Sequence, residues 1–67
     1  MINVNALRGM IHTNFRSIAA CAEASGISKN SLYRILNGKK TPNIDEIRRI
    51  GKACDLSAED IRRIFLS

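Results

Sequence analysis

The chain has 67 residues, of which 45% are hydrophobic and 25% are charged, and its formal net charge is +5. A chain of this length forms one small domain with a marginal core, which excludes separate cofactor and substrate domains. The composition is typical of a globular protein and argues against disorder. No uncharged stretch approaches the ~20 apolar residues of a membrane helix, and no signal-peptide pattern is present. We therefore expect a single cytoplasmic domain over residues 1–67.

The first predicted helix begins near the N-terminus. Apolar residues recur at intervals of three and four between Val4 and Ile11, which is the period of an amphipathic helix. Asn3 or Asn5 can cap its start. Thr13 and Asn14 are expected to end it.

Two further helices are predicted around a short turn. Ser17 is the expected cap of an alanine-rich second helix, and Gly26 is expected to close it in a left-handed conformation. Ser28 then caps a third helix, Lys29 to Asn37, which Gly38 ends. The inward stripe of this third helix consists of Leu32, Ile35 and Leu36.

The last two predicted helices follow a loop at Pro42, since proline favours extended backbone in the residue before it. Asn43 and Glu46 form a variant of the capping box at the start of the fourth helix. Its predicted apolar stripe is Ile44, Ile47, Ile50, Ala53 and Cys54. Ser57 caps the fifth helix, whose inward residues are Ile61, Ile64 and Phe65. With no long β alternation, we expect a compact all-α domain.

The cysteines and the single histidine offer little for catalysis or metal binding. Cys21 and Cys54 could form at most one disulfide, whereas small secreted scaffolds usually carry more. We interpret them as small buried thiols of a reduced protein. His12 has no apparent catalytic partner nearby in the chain and no paired zinc ligands. We expect no metal, no cofactor and no enzymatic activity.

The central part of the sequence carries the functional signal. The predicted second and third helices flank Ser25-Gly26-Ile27, which gives a helix-turn-helix at about residues 17–37. The second helix of such a motif can enter the major groove of DNA.

The outward face of the third helix has the chemistry of base recognition. Arg and Lys pair with guanine O6 and N7, and Asn pairs with adenine N6 and N7. No acidic residue lies on this face, whereas an ordinary solvated helix face usually mixes Glu with Lys; that plainer interpretation is the alternative. The residues of this face are Lys29, Asn30, Tyr33, Arg34 and Asn37, with Ser31 at its edge.

The positive charge is concentrated in the same part of the chain. Residues 1–40 contain six basic residues and one acid, whereas residues 41–67 contain five of each. A basic surface on a neutral support favours a polyanionic partner, and nucleic acid before membrane. Solubility alone could also account for a charge of this size.

The segment Cys21–Pro42 resembles the helix-turn-helix of the Cro and phage-repressor type, also called the Xre family. The matching features are the small Ala22, the turn Gly26, the cap Ser28 and the Asn-Gly-Lys run that ends at Pro42. The likeness covers about residues 4–57. It implies a five-helix lambda-repressor-like domain in a small transcriptional regulator of phage or prophage kind, with double-stranded DNA as its partner.

The resemblance also implies roles for individual residues. Lys29, Asn30 and Arg34 occupy positions that touch base edges, and Ser31 and Tyr33 occupy neighbouring contact positions. A second group is expected along the phosphates, with the start of the second helix offering backbone N–H groups. This group consists of Ser17, Asn37, Lys39 and Lys40. Arg16, which lies beside Ser17, is expected to be a second phosphate anchor, although the family has no fixed basic residue at this position.

The sequence departs from the family at several positions. Ile18 stands where a phosphate-clamping Gln is common, and Leu36 stands where an acid is frequent. Cys21 and Ser25 are smaller than the usual aliphatic residues, so Leu36 could fill the lighter core. Because Ile18 and Leu36 are apolar, the alternative function is that of an antirepressor or modulator that binds another repressor protein.

The small size of the domain implies that it binds DNA together with a second copy of itself. A single module of this kind buries only about 600–1,000 Å² on DNA, so specific binding normally uses two copies on adjacent half-sites. A homodimer is expected through a C-terminal surface, although the same residues could simply belong to the core. They are Leu56, Ile61, Phe65 and Leu66.

Overall fold

Five α-helices account for most of residues 2–66, which are the residues that the computed structural model describes. They are α1 (Val4–Asn14), α2 (Ile18–Ser25), α3 (Lys29–Leu36), α4 (Ile44–Ala53) and α5 (Ala58–Phe65). Residues 2–66 contain no strand. The predicted five-helix, all-α fold is confirmed.

Every helix begins at a predicted cap residue. The side chains of these residues each accept a hydrogen bond of 2.8–3.1 Å from the backbone N–H three residues further on, which satisfies one of the unpaired amides at a helix start. The N-terminal cap of α1 is Asn3 and not Asn5. The caps are Asn3, Ser17, Ser28, Asn43 and Ser57.

The helices of the motif end at left-handed glycines, as predicted. Gly26 has a φ of 74° and Gly38 a φ of 71°. After Gly26, the Ile27 N–H donates to the Ala22 carbonyl at 3.1 Å, which is the Schellman arrangement. Asn37 caps α3 instead of forming its last helical residue. The short turn therefore fixes where α3 starts relative to α2.

The core draws side chains from all five helices. α1 packs on α2, α3 and α5, while α4 packs on α2 and α5. The inward stripe of α3 is buried as predicted, and Leu36 is only 2% exposed. The fully buried side chains are Leu7, Ile11, Cys21, Leu32, Ile35, Ile50 and Ile64.

The two cysteines are free thiols buried in this core, as the sequence predicted. The hydrogen bond with Cys54 raises the pKa of the Cys21 thiol, and burial raises it further. Cys21 therefore remains neutral and acts as a small apolar side chain between α2 and α4.

One predicted core residue is misplaced. Ile44 was assigned to the apolar stripe of α4 but is 67% exposed. Ile50 and Cys54 hold the inward face of α4, whereas Ile44 is the first residue of the helix and lies at its edge. Within residues 2–66, no helix has both the length and the hydrophobicity to cross a membrane.

Candidate nucleic-acid interface

The outward face of α3 is open to solvent. Lys29, Asn30, Arg34 and Asn37 are all exposed, and Tyr33 is 41% exposed. Ser31 is half-buried at the edge of this face, and its N–H donates to the Ser28 side chain. The structure therefore brings the predicted base-reading side chains together on one exposed helix face.

The orientation of this face follows from the burial of the opposite one. Leu32, Ile35 and Leu36 are at most 2% exposed, so rotating α3 would bring polar groups into the core. Residues at i, i+3 and i+4 share one side of a helix. Lys29, Tyr33 and Arg34 consequently point away from the domain.

Most basic side chains of the N-terminal part are unpaired. Three ion pairs occur among the described residues: Lys40–Glu46, Arg49–Asp45 and Arg63–Asp60. None of them involves Arg16, Lys29, Arg34 or Lys39, all of which are exposed. Their charges are therefore directed at solvent, as a polyanion-binding surface requires.

Two acidic residues, Asp45 and Glu46, do lie close to the start of α3. Asp45, Arg49, Ser28 and Ser31 line the same polar pocket of 290 Å³. The Asp45 carboxylate accepts a hydrogen bond of 2.8 Å from Arg49 Nε. Because Arg49 neutralises Asp45, this carboxylate adds little repulsion toward a phosphate near the N-terminus of α3.

Lys40 is half-buried and forms an ion pair within the protein. Its Nζ lies 2.5 Å from Glu46 Oε2, and its side chain is 29% exposed. Burial alone raises the pKa of Glu46, but the hydrogen bonds from Lys40 and the Asn43 N–H and the charge of Lys40 outweigh it, so the pKa is lowered. Of the predicted phosphate-contacting residues, Lys40 is the one that also holds the loop before α4.

Arg16 and Ser17 lie together at the start of α2, and both are exposed. Ser17 Oγ accepts a hydrogen bond of 3.1 Å from the Ala20 N–H. The first amides of a helix lack intrahelical acceptors and carry partial positive charge. The phosphate contact expected at Ser17 remains a prediction, and the exposed N-terminus of α2 has the chemistry that such a contact needs.

One contact at this site was not predicted from the sequence. Arg8 Nη2 in α1 donates a hydrogen bond of 3.0 Å to the Leu36 carbonyl at the end of α3. From the sequence, Arg8 is only one of six basic residues within residues 1–40. The sequence does show a basic residue in α1 and a helix end whose carbonyls need donors. It does not show that these two groups meet, because they are 28 residues apart in the chain.

Ile18 and Leu36, the two apolar residues that differ from the family pattern, have different environments. Leu36 fills the core and presents no surface to a protein partner. Ile18 is half-buried and packs against the core, so it offers only part of an apolar surface. The protein-docking alternative therefore loses one of the two residues that motivated it.

The residues that were predicted to form a dimer surface also differ in their exposure to solvent. Phe65 is 6% exposed and belongs to the core. The prediction that Phe65 forms part of a dimer surface is therefore wrong, and the alternative, that it is a core residue, is correct. Leu56 and Ile61 are half-buried, and Ile61 covers Gly51, where an added Cβ would lie 3.0 Å from Ile61 Cδ1. Leu66 is 66% exposed.

Comparison with known families agrees with this geometry. Residues 7–64 match the family model described as a helix-turn-helix domain. The chain belongs to the helix-turn-helix family. No curated protein matches the sequence.

The family match spans the fold from α1 almost to the end of α5, and it includes the α2–turn–α3 unit. Membership suggests that this helix-turn-helix domain binds DNA. Among the described residues, no cluster of three or more potential metal ligands occurs.

Proposed function

We propose that this helix-turn-helix domain is a sequence-specific regulator that inserts α3 into the major groove of double-stranded DNA. The observation that carries the proposal is the outward face of α3, where Lys29, Asn30 and Arg34 are exposed and form no ion pair with the described residues. Lys and Arg match guanine edges, and Asn matches adenine edges.

The remaining basic residues fit a supporting role on the DNA backbone. Arg16 and the start of α2 lie at one place on the surface, while Lys39 follows the end of α3. Contacts with phosphate fix the register of a protein on the duplex, and contacts with bases supply specificity. We therefore assign Arg16, Ser17, Asn37, Lys39 and Lys40 to phosphate, and Lys29, Asn30, Ser31, Tyr33 and Arg34 to the groove.

The biological role that fits these properties is that of a small transcriptional regulator of the Cro or phage-repressor kind, acting in the cytoplasm. It would occlude a promoter by occupying a near-palindromic operator. The resemblance in residues 21–42 supports this kind of regulator, and the exposed basic face supports DNA as the partner.

Selection of bound sequences from a random duplex pool tests the proposal. We expect a short enriched motif, and we expect methylation of guanine N7 in that motif to block binding, since N7 faces the major groove. A pool that stays random after repeated selection at low salt would contradict the proposal. In that case, capture of a repressor protein by the same chain would favour the modulator.

A further inference from the structure

The carboxylate of Glu46 joins the loop after α3 to the start of α4. Its Oε1 accepts a hydrogen bond of 2.9 Å from the Asn43 N–H, and its Oε2 lies 2.5 Å from Lys40 Nζ. Glu46 is only 8% exposed, so water and salt screen this contact less than they screen an ion pair on the surface. Both oxygens of a buried carboxylate are therefore occupied by one short segment of the chain.

Two adjacent lysines of this loop differ in how much of their charge faces solvent. Lys39 is exposed and belongs to none of the three ion pairs formed by the described residues. Lys40 is half-buried, and its charge is balanced by Glu46. The loop that we assign to the DNA backbone therefore offers one free cation and one cation that is already neutralised.

We propose that Glu46 competes with DNA phosphates for Lys40 and thereby limits the affinity of the domain for every duplex. The inference rests on the proposed function, which assigns Lys40 to phosphate. A lysine ammonium is a compact point charge, so a close contact with a phosphate weakens its contact with the carboxylate. The free energy lost in this way is subtracted from the free energy of DNA binding.

Within residues 2–66, Lys40 is the one cation that pairs with Glu46. Arg49 lines the same pocket as Glu46, but its Nε donates a hydrogen bond of 2.8 Å to Asp45. When Lys40 moves to a phosphate, Glu46 keeps only the hydrogen bond from the Asn43 N–H. Removing one partner of a buried ion pair is costly, because the remaining charge stays desolvated.

The competition acts on all DNA sequences alike. Contacts with phosphate carry no sequence information, whereas contacts with base edges do. Glu46 therefore lowers the affinity for any duplex and leaves the discrimination between sequences to Arg34 and its neighbours in α3. Because non-specific binding is almost entirely electrostatic, a partly neutralised loop shortens the time that the domain spends on sites that α3 does not recognise.

Glu46→Gln tests the competition, because the amide keeps an acceptor for the Asn43 N–H and removes the charge that holds Lys40. Glu23→Gln is the matched control, since Glu23 is an exposed acid of α2 and its loss changes the net charge by the same amount. Lys40→Ala and the double variant Lys40→Ala/Glu46→Gln complete a cycle that isolates the coupling between the two side chains. Urea unfolding verifies that each variant is folded.

Fluorescence anisotropy on a selected half-site and on a scrambled duplex measures the effect. We expect Glu46→Gln to bind both duplexes roughly threefold to tenfold more tightly than the parent, with an unchanged ratio between the two affinities. Glu23→Gln should change affinity by less than about twofold, because exposed charges are screened. In the Lys40→Ala background, the gain from Glu46→Gln should fall to that of Glu23→Gln. A partial loss of folded protein could only weaken binding, so a gain separates competition from a purely structural role.

The two lysines give a second measure that leaves Glu46 intact. We expect Lys39→Ala to lose more affinity than Lys40→Ala, because the contact of Lys40 with phosphate is offset in part by its separation from Glu46. The same two duplexes serve for this comparison.

Two results would overturn the inference: an affinity of Glu46→Gln no greater than that of Glu23→Gln, or an equal gain from Glu46→Gln with and without Lys40. A loss of affinity in Lys40→Ala equal to or greater than that in Lys39→Ala would also contradict it. Failure of the parent to bind either duplex would instead contradict the proposed function.

Discussion

Arg8 Nη2 in α1 donates a hydrogen bond of 3.0 Å to the carbonyl oxygen of Leu36, the last residue of α3. Carbonyls in the last turn of a helix lack intrahelical donors, and the negative end of the helix dipole favours a cation there. The contact joins the first helix directly to the end of the reading helix. Arg8 therefore adds a polar link between α1 and the C-terminal end of α3 to the apolar packing of these helices.

Replacing Arg8 by Met should remove this contact while keeping the apolar stem. A hydrogen bond from a charged group contributes roughly 1.5–3 kcal/mol, and partial exposure of Arg8 places the expected loss toward the lower end. Urea unfolding measures this loss. Specific DNA affinity should fall as well, because the end of α3 is less constrained.

Arg16→Met is the control for Arg8→Met, since it removes an equal charge from an exposed side chain. Its free energy of unfolding should change by less than about 0.5 kcal/mol, whereas DNA affinity should fall at all sequences. Equal losses of stability in the two variants would show that the Arg8 contact does not stabilise the fold.

The motif turn depends on Gly26. Its φ of 74° is strained for any L side chain, and an added Cβ would lie 2.8 Å from Arg49 Nη1. Since Arg49 can move, the backbone strain dominates, and Gly26→Ala should destabilise the domain by about 1–2 kcal/mol. Gly9 lies inside α1 with no atom within 4 Å of such a Cβ, so Gly9→Ala should stabilise the domain by about 0.5–1 kcal/mol. Thermal unfolding of the two variants should therefore shift in opposite directions.

The Lys40–Glu46 pair predicts an acid-sensitive loop. A carboxyl whose pKa is lowered on folding adds stability above its unfolded value, near 4.5, and loses that contribution as the pH falls through the folded value. Glu46→Gln should therefore lower stability at pH 7 and weaken the decline below about pH 4.5. Urea unfolding across pH measures both effects. Glu23→Gln, at an exposed residue, is the control, and identical pH profiles for the two variants would contradict the assignment.

Substitutions of Lys39 and Lys40 distinguish an effect on DNA affinity from an effect on the free energy of unfolding. We expect either substitution by Ala to weaken binding to all sequences and to flatten the salt dependence by about one unit. Only Lys40→Ala should also lower the free energy of unfolding, because it leaves the buried Glu46 carboxylate without its cation. Salt titrations and urea unfolding distinguish the two effects, and unchanged DNA binding in both variants would exclude the loop from the interface.

Local sequence rules predicted most of the fold because its helix boundaries are chemically encoded. Asn3, Ser17 and Ser28 have side chains that cap the following amides, and Gly26 and Gly38 adopt the conformation that ends a helix. These effects depend on neighbouring residues only. The exposed face of α3 followed from the same local periodicity.

The contacts that sequence reasoning missed depend on tertiary geometry. The Arg8–Leu36 hydrogen bond depends on how α1 crosses α3. The exposure of Ile44 depends on which part of α4 the neighbouring helices cover. Lys40 has an adjacent basic neighbour in Lys39, yet only Lys40 reaches Glu46. Periodicity assigns a side chain to a face, but it does not determine which element covers that face.

The role of Arg34 in base recognition is the central claim, and anisotropy measurements with Arg34→Ala test it directly. The variant is compared with the parent on a single selected half-site and on a scrambled duplex, with Arg48→Ala as the control for loss of one exposed charge. We expect Arg34→Ala to lose about 1–3 kcal/mol on the selected site and much of its preference over the scrambled duplex, while Arg48→Ala retains that preference. A preference in Arg34→Ala equal to that of the parent would contradict the assignment of α3 as the reading helix.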